Sequence, residues 1–302
     1  MLQQTRMEVV LGYFARFLAR FPDVAALANA TDDEVTSAWS GLGYYRRAKM
    51  LRDGARAVVE RFGGVIPSTV EELLTIPGIG RYTAGAIASI AFDRRAPIVD
   101  GNVTRVTARL FGSDGDAWER ATALVDTSKS PRALNQSLME LGALICTPRN
   151  PSCLICPVAK RCIALQTGRV DELPAPKPKK ETRELRIPLY LIADGHGRVL
   201  MRRESGPLMN AMYHLPHGDA SLLTGEPLRV TKRKLLGSFR HTVTTRRIEF
   251  ALYSAELRGT PRDHEWIDVS AMSEVPHPSY VRKALRMAAD QGRGARGKGR
   301  EG

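Results

Sequence analysis

Apolar residues recur every three or four positions over the first half of the chain. Such spacing is typical of amphipathic helices that bury one face. The segments that show it are 9–21, 33–62, 69–76 and 81–92. Proline or paired glycines interrupt the pattern at 21–23, 63–64 and 76–78, and such residues end helices. We therefore predict an all-helical domain over residues 1–169.

The pattern changes after residue 169. Residues 170–186 are rich in proline and charge and poor in apolar side chains, which predicts an interdomain linker. Short apolar runs bounded by turn residues follow, and they are typical of strands. These runs are 186–194, 198–203, 234–239 and 247–257. The sequence therefore predicts a second, smaller α+β domain over residues 187–285.

Charge indicates the kind of partner. The chain carries 45 Lys and Arg against 32 Asp and Glu, a formal net charge of +13, and such an excess favours a polyanionic partner. Part of it lies in the glycine-rich end of the chain, so we predict a disordered basic tail over residues 286–302. The rest of the chain remains basic without this tail. A solvated basic surface is the simpler alternative.

Composition narrows the class of protein. A hydrophobic fraction of 43% with 25% charged residues is ordinary for a globular protein. No apolar run reaches the roughly 18 residues that a membrane span requires, and no signal peptide is visible. We therefore expect a cytoplasmic protein without a membrane partner.

All four cysteines lie in one short window. Cys146, Cys153, Cys156 and Cys162 follow the spacing C-x6-C-x2-C-x5-C. Disulfides are disfavoured because no secretory segment precedes the cysteines and no other cysteine exists. Structural zinc usually takes two short cysteine pairs, whereas only Cys153 and Cys156 form one here. The spacing favours a 4Fe–4S cluster, with a zinc site or fortuitous clustering as the alternatives.

Two short motifs precede the cysteines. In the turn 77–80, Pro77 stiffens the chain, while Gly78 and Gly80 permit positive φ and close backbone approach. A helix beginning near Arg81 would point unpaired N–H groups outward, which could bind a phosphate. In the second motif, Asp100 precedes a helical pattern and would cap that helix. The functional alternative is a carboxylate held at the mouth of a groove in the protein, facing the same DNA strand that the turn 77–80 would grip.

Together these segments resemble the helix–hairpin–helix DNA glycosylases with an iron–sulfur cluster, and within them the MutY-type adenine DNA glycosylases. The segments that carry the resemblance are 1–6, 41–51, 76–92, 97–110 and 146–162. It is strong over residues 1–170 and weaker beyond, where 172–175, 210–216 and 238–242 echo the family's Nudix-like module. That second domain lacks a Nudix metal-binding box, so we do not expect pyrophosphatase activity.

The resemblance implies a function in base excision repair. The chain would hydrolyse the N-glycosidic bond of adenine mispaired with 8-oxoguanine or guanine in double-stranded DNA, as a monomer associated with the bacterial nucleoid. The four cysteines would hold a structural 4Fe–4S cluster.

The resemblance also implies roles for single residues. Asp100 would stabilise the sugar cation, and Asn102 would hold the backbone around it. Tyr82 stands where bifunctional relatives carry a lysine, so β-lyase activity is not expected. The base has to leave the stack to be reached. The DNA-binding residues would be Gln4, Tyr44, Pro77, Gly78, Gly80 and Thr83.

Two departures from the family keep alternatives open. The family's general acid is a glutamate two residues before the methionine that is Met1 here. We expect an upstream extension to supply it. Without it the chain would be a non-catalytic mismatch-binding protein. An endonuclease III-like glycosylase/lyase is a further alternative, which Tyr82 and the second domain disfavour.

The second departure concerns mismatch recognition. Where family members commonly carry Phe-Ser-His, this chain aligns Val243, Thr244 and Thr245. The hydroxyl remains in Thr244, but the aromatic ring and the imidazole are gone. Threonines that merely favour a strand are the simpler interpretation. We expect weaker selectivity for 8-oxoguanine over guanine than is usual in the family.

Overall fold

The computed structural model describes residues 1–2, 5, 7–176, 182–204, 212–218, 229–243, 245–259 and 263–297. Contacts divide the chain into two compact units, 53–179 and 1–52 with 180–302. This division differs from the domain boundaries expected from the sequence, because residues 1–52 group with the C-terminal part of the chain. Those boundaries, at 169, 186 and 285, stay a prediction.

Helices occupy most of the first 170 residues, as the apolar spacing predicts. They are α1 (Met7–Arg20), α2 (Val24–Asn29), α3 (Asp32–Ala38), α4 (Arg46–Phe62), α5 (Val70–Leu74), α6 (Arg81–Ala86), α7 (Gly101–Phe111), α8 (Ala117–Asp126), α9 (Pro131–Leu144) and α10 (Ile163–Gln166). A π-helical segment, Ile87–Ala91, continues α6, and 3₁₀ turns cover Cys153–Ile155 and Ala159–Arg161.

Local sequence explains where the helices of the 53–179 unit begin and end. The Ser130 hydroxyl caps α9, whose first residue is Pro131, and proline is well suited to that position. Helix α7 ends at Gly112, which has a φ of +70°, a conformation that glycine adopts without strain. Buried Val103, Val106, Ala121 and Leu138 join α7, α8 and α9 in one apolar cluster.

The C-terminal region is an α+β structure, as predicted. Its strands are β1 (Arg183–Leu191), β2 (Arg198–Arg203), β3 (Tyr213–His214), β4 (Val230–Val243), β5 (Arg246–Leu257) and β6 (Glu265–Asp268), and α11 (Ser279–Gly297) follows. One three-stranded sheet has the order β1-β5-β4, with β1 parallel and β4 antiparallel to β5. The other, β3-β2-β6, is antiparallel.

Secondary structure extends across two of the expected boundaries in this region. The linker was expected to reach residue 186, but β1 begins at Arg183 and pairs with β5 from there. The disordered tail was expected from residue 286, but α11 continues to Gly297. Packing accounts for α11 as far as Ala288: Tyr280, Val281 and Ala284 are buried in the core of the sheet, and the next turn also contacts that core. An apolar helix face stabilises a helix in spite of a basic sequence.

No helix within the described residues combines the length and apolar character needed to cross a membrane.

Candidate functional site

The turn between α5 and α6 has part of the geometry that its sequence predicts. The amide of Ile79 donates to the Ile76 carbonyl at 3.1 Å, and Gly78 has a φ of +81°. Proline followed by glycine at the two central positions is typical of a type II turn. Gly80 differs from expectation: its φ is −94°, and open space surrounds its α-carbon.

Gly80 therefore does not supply a positive φ. It is the N-cap of α6 and provides no side-chain acceptor for the first amides of the helix. Pro77, Gly78 and Gly80 are all exposed, while Thr83 is half-buried one turn further on. The backbone amides at the start of α6 thus lie beside an open, solvent-facing turn.

Asp100 is held rigidly at the start of α7. Its Oδ1 accepts a hydrogen bond from the Val103 amide at 2.8 Å, so it is the helix N-cap. Its Oδ2 accepts from the Asn102 side-chain amide at 3.1 Å. The carboxylate is half-buried. Asp100 therefore caps the helix and also presents a fixed carboxylate that is partly open to solvent. The capping and functional interpretations of Asp100 are therefore compatible.

Tyr82 lies close enough to Asp100 for the two to interact electrostatically. Burial, and then the negative charge of Asp100, raise the pKa of Tyr82 above its usual value. Its hydroxyl donates to the Met139 sulfur at 3.7 Å. A neutral phenol is therefore the stable form beside the carboxylate at neutral pH.

Two glycines that the sequence analysis overlooked bring these elements together. A Cβ on Gly85 would lie 2.2 Å from the Pro97 carbonyl oxygen, and one on Gly142 would lie 2.6 Å from Asn102 Cβ. Any side chain at either position would push α6 or α9 away from the loop that carries Asp100. Small residues at 83–86 and 142–143 were the signal for this close packing.

Arg105 was also missed, although its guanidinium makes several hydrogen bonds near Asp100. The side chain is only 8% exposed. Its Nη2 donates to Asn102 Oδ1 at 2.9 Å and to the Gly142 carbonyl at 2.7 Å, and its Nε donates to the Cys146 carbonyl at 2.7 Å. Hydrogen bonds therefore run from Asp100 through Asn102 and Arg105 to the backbone of the first cysteine. An arginine among the apolar positions of α7 was the available signal.

All four cysteines line a single cavity. Its other walls are mostly apolar and include Val106, Leu141, Ile145 and Leu165. In the described part of the chain no three His, Cys, Asp or Glu side chains form a group that could hold one metal ion. The four sulfurs instead surround a shared space, and a cluster held by four thiolates fits such a cavity.

Arg109 supports the cysteine loop. It is 3% exposed, and its guanidinium donates to the Cys146 sulfur at 3.4 Å and to the Thr147 carbonyl at 2.8 Å. Burial, and then the nearness of the other three cysteines, raise the pKa of the Cys153 thiol. A buried guanidinium beside the sulfurs would offset the negative charge of thiolate ligands.

Two predicted DNA-contacting residues belong to the other unit. Tyr44 lies in the turn before α4, with a φ of +49°, and its side chain is 48% exposed. The Arg47 guanidinium is 5.6 Å from the centre of its ring. Gln4 lies outside the described residues.

Two of the three predicted mismatch-recognition residues, Val243 and Thr245, lie at the tip of the β4–β5 hairpin. Val243 ends β4 and pairs with Arg246, Thr245 lies in the turn, and Thr244 is outside the described residues. His241, two residues before Val243 on β4, packs against Phe250 of β5 and Tyr280 of α11, and burial lowers its pKa to about 4.

Two protein-family models match the chain. Residues 1–129 match the HhH-GPD superfamily of base excision DNA repair proteins. Residues 146–162 match the iron–sulfur binding domain of endonuclease III. The second match covers the window from the first cysteine to the last, so this window binds a 4Fe–4S cluster, as the spacing favours. The four cysteines as its ligands stay a prediction.

The cluster should be visible in the purified protein. Anaerobically prepared protein is expected to be brown, with broad absorption in the blue and about four irons per chain, because four thiolates ligate one cubane. Metal analysis and absorption spectroscopy test this directly. A colourless protein with one zinc per chain would contradict the assignment.

Individual relatives extend the comparison over nearly the whole chain. The adenine DNA glycosylase of Rattus norvegicus is 48% identical over 187 residues, which are 58% of this chain and 36% of that protein. This chain thus spans about a third of such mammalian relatives. The adenine DNA glycosylase of Buchnera aphidicola subsp. Schizaphis graminum is 29% identical over 95% of this chain and 88% of that protein.

Solved structures agree with the fold of the first part. A thermostable thymine-DNA glycosylase is 30% identical, covers 55% of this chain and 80% of its own, and has a TM-score of 0.50. Matches further along the chain include the NUDIX domain of Shewanella oneidensis NrtR in complex with ADP ribose, 15% identical over 39% of this chain and 95% of that chain, with a TM-score of 0.29. From the family matches and the relatives together, the chain belongs to the HhH-GPD superfamily of base excision DNA repair proteins, and it is similar to curated proteins named adenine DNA glycosylase.

Proposed function

We propose that this protein is a monofunctional adenine DNA glycosylase, which hydrolyses the N-glycosidic bond of adenine mispaired with 8-oxoguanine or guanine. The observation that carries the proposal is the fixed carboxylate of Asp100, bonded to the Val103 amide and to Asn102, with a phenol beside it. Two relatives that support it, from rat and from Buchnera, are named adenine DNA glycosylase.

Asp100 suits the chemistry of glycosidic bond cleavage. As the base leaves, positive charge develops on the sugar, and an oriented carboxylate stabilises that charge. Two hydrogen bonds fix the Asp100 side chain, so little reorganisation is needed when the charge appears. Its partial burial strengthens the interaction, since electrostatic attraction is larger where water is excluded.

Tyr82 favours a glycosylase without lyase activity. A lyase of the endonuclease III type needs an amine that forms a Schiff base with the sugar. The phenol of Tyr82 cannot do so, and its raised pKa keeps it protonated. The endonuclease III-like alternative therefore has no nucleophile at this position.

The exposed turn 77–80 and its neighbour Arg81 suit binding to the DNA backbone. Arg81 is the first residue of α6, where a positive side chain is unfavourable for the helix dipole. Its guanidinium stacks on the ring of Trp118 at 3.9 Å from the centroid, which leaves its in-plane N–H groups free to meet a phosphate. Open amides and a stacked guanidinium are sequence-independent phosphate contacts.

Recognition of the opposite base would fall to the hairpin tip, Val243–Thr245. Exposed loops on a rigid sheet often carry specificity. Val243 and Thr245 offer no ring to stack on a base, so we propose that 8-oxoguanine and guanine are distinguished only weakly. We further propose that the protein acts as a monomer.

A binding experiment tests the choice of DNA. We expect duplexes containing adenine opposite 8-oxoguanine or guanine to bind more tightly than a matched duplex. All affinities should fall steeply with salt, with a slope of log K against log[salt] of about −0.9 per neutralised phosphate. Fluorescence anisotropy over a range of salt concentrations measures both the preference for mispaired duplexes and the salt dependence of the affinity. Equal affinity for matched and mismatched duplexes at every salt concentration would contradict the proposal.

Adenine release distinguishes an enzyme from a mismatch-binding protein. The glutamate that serves as general acid in the resembling family would align two positions before Met1, so single-turnover release is measured on the 302-residue chain and on a longer chain that carries a glutamate there. We expect full activity from the longer chain, since a positioned acid contributes about 10²–10⁴-fold. Preferential mismatch binding without release by either chain would favour the non-catalytic alternative.

A further inference from the structure

The loop 41–45, which carries Tyr44, has an unusual backbone. Gly41, Gly43 and Tyr44 have φ angles of +102°, +72° and +49°. The two glycines adopt this region easily, but a tyrosine rarely does. The ring of Tyr44 is also about half exposed. Such a conformation persists only where surrounding contacts impose it.

Contacts from the neighbouring helices hold one side of this loop. The indole of Trp39 donates to the Gly43 carbonyl at 3.2 Å, and Arg47 Nη2 donates to the same carbonyl at 3.2 Å. Both side chains come from within four residues of the loop. They fix Gly43, but they leave Gly41 and Tyr45 to be held by other parts of the chain.

The segment 274–282, more than 200 residues away in sequence, holds the other side. The Tyr45 hydroxyl accepts from the Gly41 amide at 3.1 Å and donates to the His277 carbonyl at 3.1 Å. Ser40 donates to the same carbonyl at 3.2 Å, and Ser37 donates to the Glu274 carbonyl at 2.7 Å. These hydrogen bonds are partly or wholly buried, which makes their loss costly.

Arg282 completes this set of contacts. Its Nη2 donates to Ser40 Oγ at 3.2 Å. A Cβ on Gly41 would lie 2.3 Å from the Tyr13 hydroxyl and 2.5 Å from that nitrogen, so these two side chains fill the space where another would otherwise lie. Gly41 is therefore required both for its φ and for the close approach of Tyr13 and Arg282.

Arg282 belongs to α11, and α11 also packs on the strands of the β4–β5 hairpin. The ring of Tyr280 stacks on Phe250 with centroids 4.4 Å apart and contacts His241. One turn after Arg282, the Met287 side chain lies against Gly237. One helix thus contacts both the loop of Tyr44 and the two strands whose tip carries Val243.

We infer that the segment 274–282 positions the loop 41–45, and that Tyr45 and Arg282 set the conformation in which Tyr44 meets a DNA duplex. The inference rests on the proposed function, because Tyr44 is taken to enter the duplex beside the mispaired adenine. The C-terminal region then does more than contact the opposite base: it holds the residue that unstacks the duplex. Tyr45 and Arg282 are positioning residues that need not touch DNA.

The test uses the full chain and a duplex with 2-aminopurine next to the adenine of an adenine–8-oxoguanine pair. This fluorophore brightens when it unstacks, and extruding a base disturbs its neighbours. The Tyr44→Leu variant shows how much of the fluorescence gain is lost when the aromatic ring is absent. We expect Tyr45→Phe and Arg282→Gln each to reduce the fluorescence gain at saturating protein about threefold or more, while affinity for a matched duplex changes less than about twofold.

Double variants separate positioning from general destabilisation. Tyr45→Phe or Arg282→Gln in a Tyr44→Leu background should cause no further loss, because residues that act through one another are not additive. Arg282→Lys should recover part of the gain. Matched controls are Arg286→Gln, the same charge change at an exposed position of α11, and Tyr253→Phe, the same hydroxyl loss in β5. Equal effects of Arg282→Gln and Arg286→Gln, or additive losses with Tyr44→Leu, would overturn the inference.

A measurement without DNA distinguishes failure of this inference from failure of the proposed function. Hydrogen exchange of the amides of residues 41–45 should accelerate about tenfold in Tyr45→Phe and Arg282→Gln, and not in the two controls. Unchanged exchange would overturn the positioning role. Accelerated exchange together with an unaltered 2-aminopurine signal in Tyr44→Leu would support positioning of the loop and contradict the proposed role of Tyr44 in DNA.

Discussion

Replacing Asp100 by asparagine is expected to lower the rate of adenine release about 10³-fold or more, with little loss of stability. Asparagine is as good an N-cap as aspartate, so its side-chain oxygen can still accept from the Val103 amide. The variant loses the negative charge and also the hydrogen bond that Oδ2 accepts from the Asn102 side-chain amide, because the NH₂ group that replaces Oδ2 cannot accept. Removing one pre-organised electrostatic contact to a developing charge costs about 10²–10³-fold, or about 3–4 kcal/mol, and a full charge on the reacting sugar should exceed that.

The measurement is single-turnover release of adenine at saturating enzyme, in the form of the chain that shows activity. Asp116→Asn is the matched control, because Asp116 caps α8 through the Trp118 amide at 2.8 Å and is exposed. The control makes the same replacement of aspartate by asparagine at the N-cap of another helix. If Asp100→Asn releases adenine at the parent rate, or if Asp116→Asn is equally impaired, the role given to Asp100 is wrong. Thermal unfolding of both variants checks that the cap survives.

Much of the fold could be predicted because periodicity reports burial directly. Helices α1, α4 and α6 and strands β2 and β5 lie where apolar spacing indicated them. Boundaries were less predictable where long-range packing decides them. A glycine-rich, basic sequence does not reveal that α11 buries one face against the sheet, so its extension to Gly297 had to come from the structure.

Within the candidate site, residue types that carry their own chemistry were predictable. Four cysteines and an acid before a helix are visible in the sequence. The supporting residues were not, because their roles depend on contacts between distant segments. Gly85 and Gly142 matter for space that only the Pro97 carbonyl and Asn102 define. Arg282 is one basic residue among many until the structure shows it beside Ser40.

Arg105→Lys is expected to impair both the stability of the cluster-binding unit and adenine release. The guanidinium uses separate nitrogens for the Cys146 carbonyl and for the pair formed by Asn102 and the Gly142 carbonyl. An ammonium keeps the charge but cannot reach both sides at once, because only the guanidinium is a planar fork of donors. At least one buried acceptor then loses its partner, at a cost of about 1–3 kcal/mol. Arg105→Leu, which leaves all of them unsatisfied, should cost about 3–5 kcal/mol.

The expected loss of activity follows from the order of these contacts. Arg105 orients the Asn102 amide, and Asn102 in turn donates to Asp100. When Arg105 no longer orients Asn102, the Asp100 carboxylate is also held less firmly. A misplacement of a reacting group by about 1 Å can cost about 10²-fold in rate. Denaturant unfolding, iron content after exposure to air and single-turnover release are measured on the same preparations. Arg94→Lys, at an exposed position in the same unit, is the control.

The three measurements distinguish a local packing role from a link between the cysteine loop and Asp100. If Arg105 only stabilises the fold, protein that retains its iron will release adenine at the parent rate once corrected for the folded fraction. If Arg105 links the loop to Asp100, release will remain slow in the iron-containing fraction. Faster loss of iron in air should accompany it, because the same side chain holds the Cys146 carbonyl. An Arg105→Lys protein with parent-like release and parent-like iron retention would contradict the link.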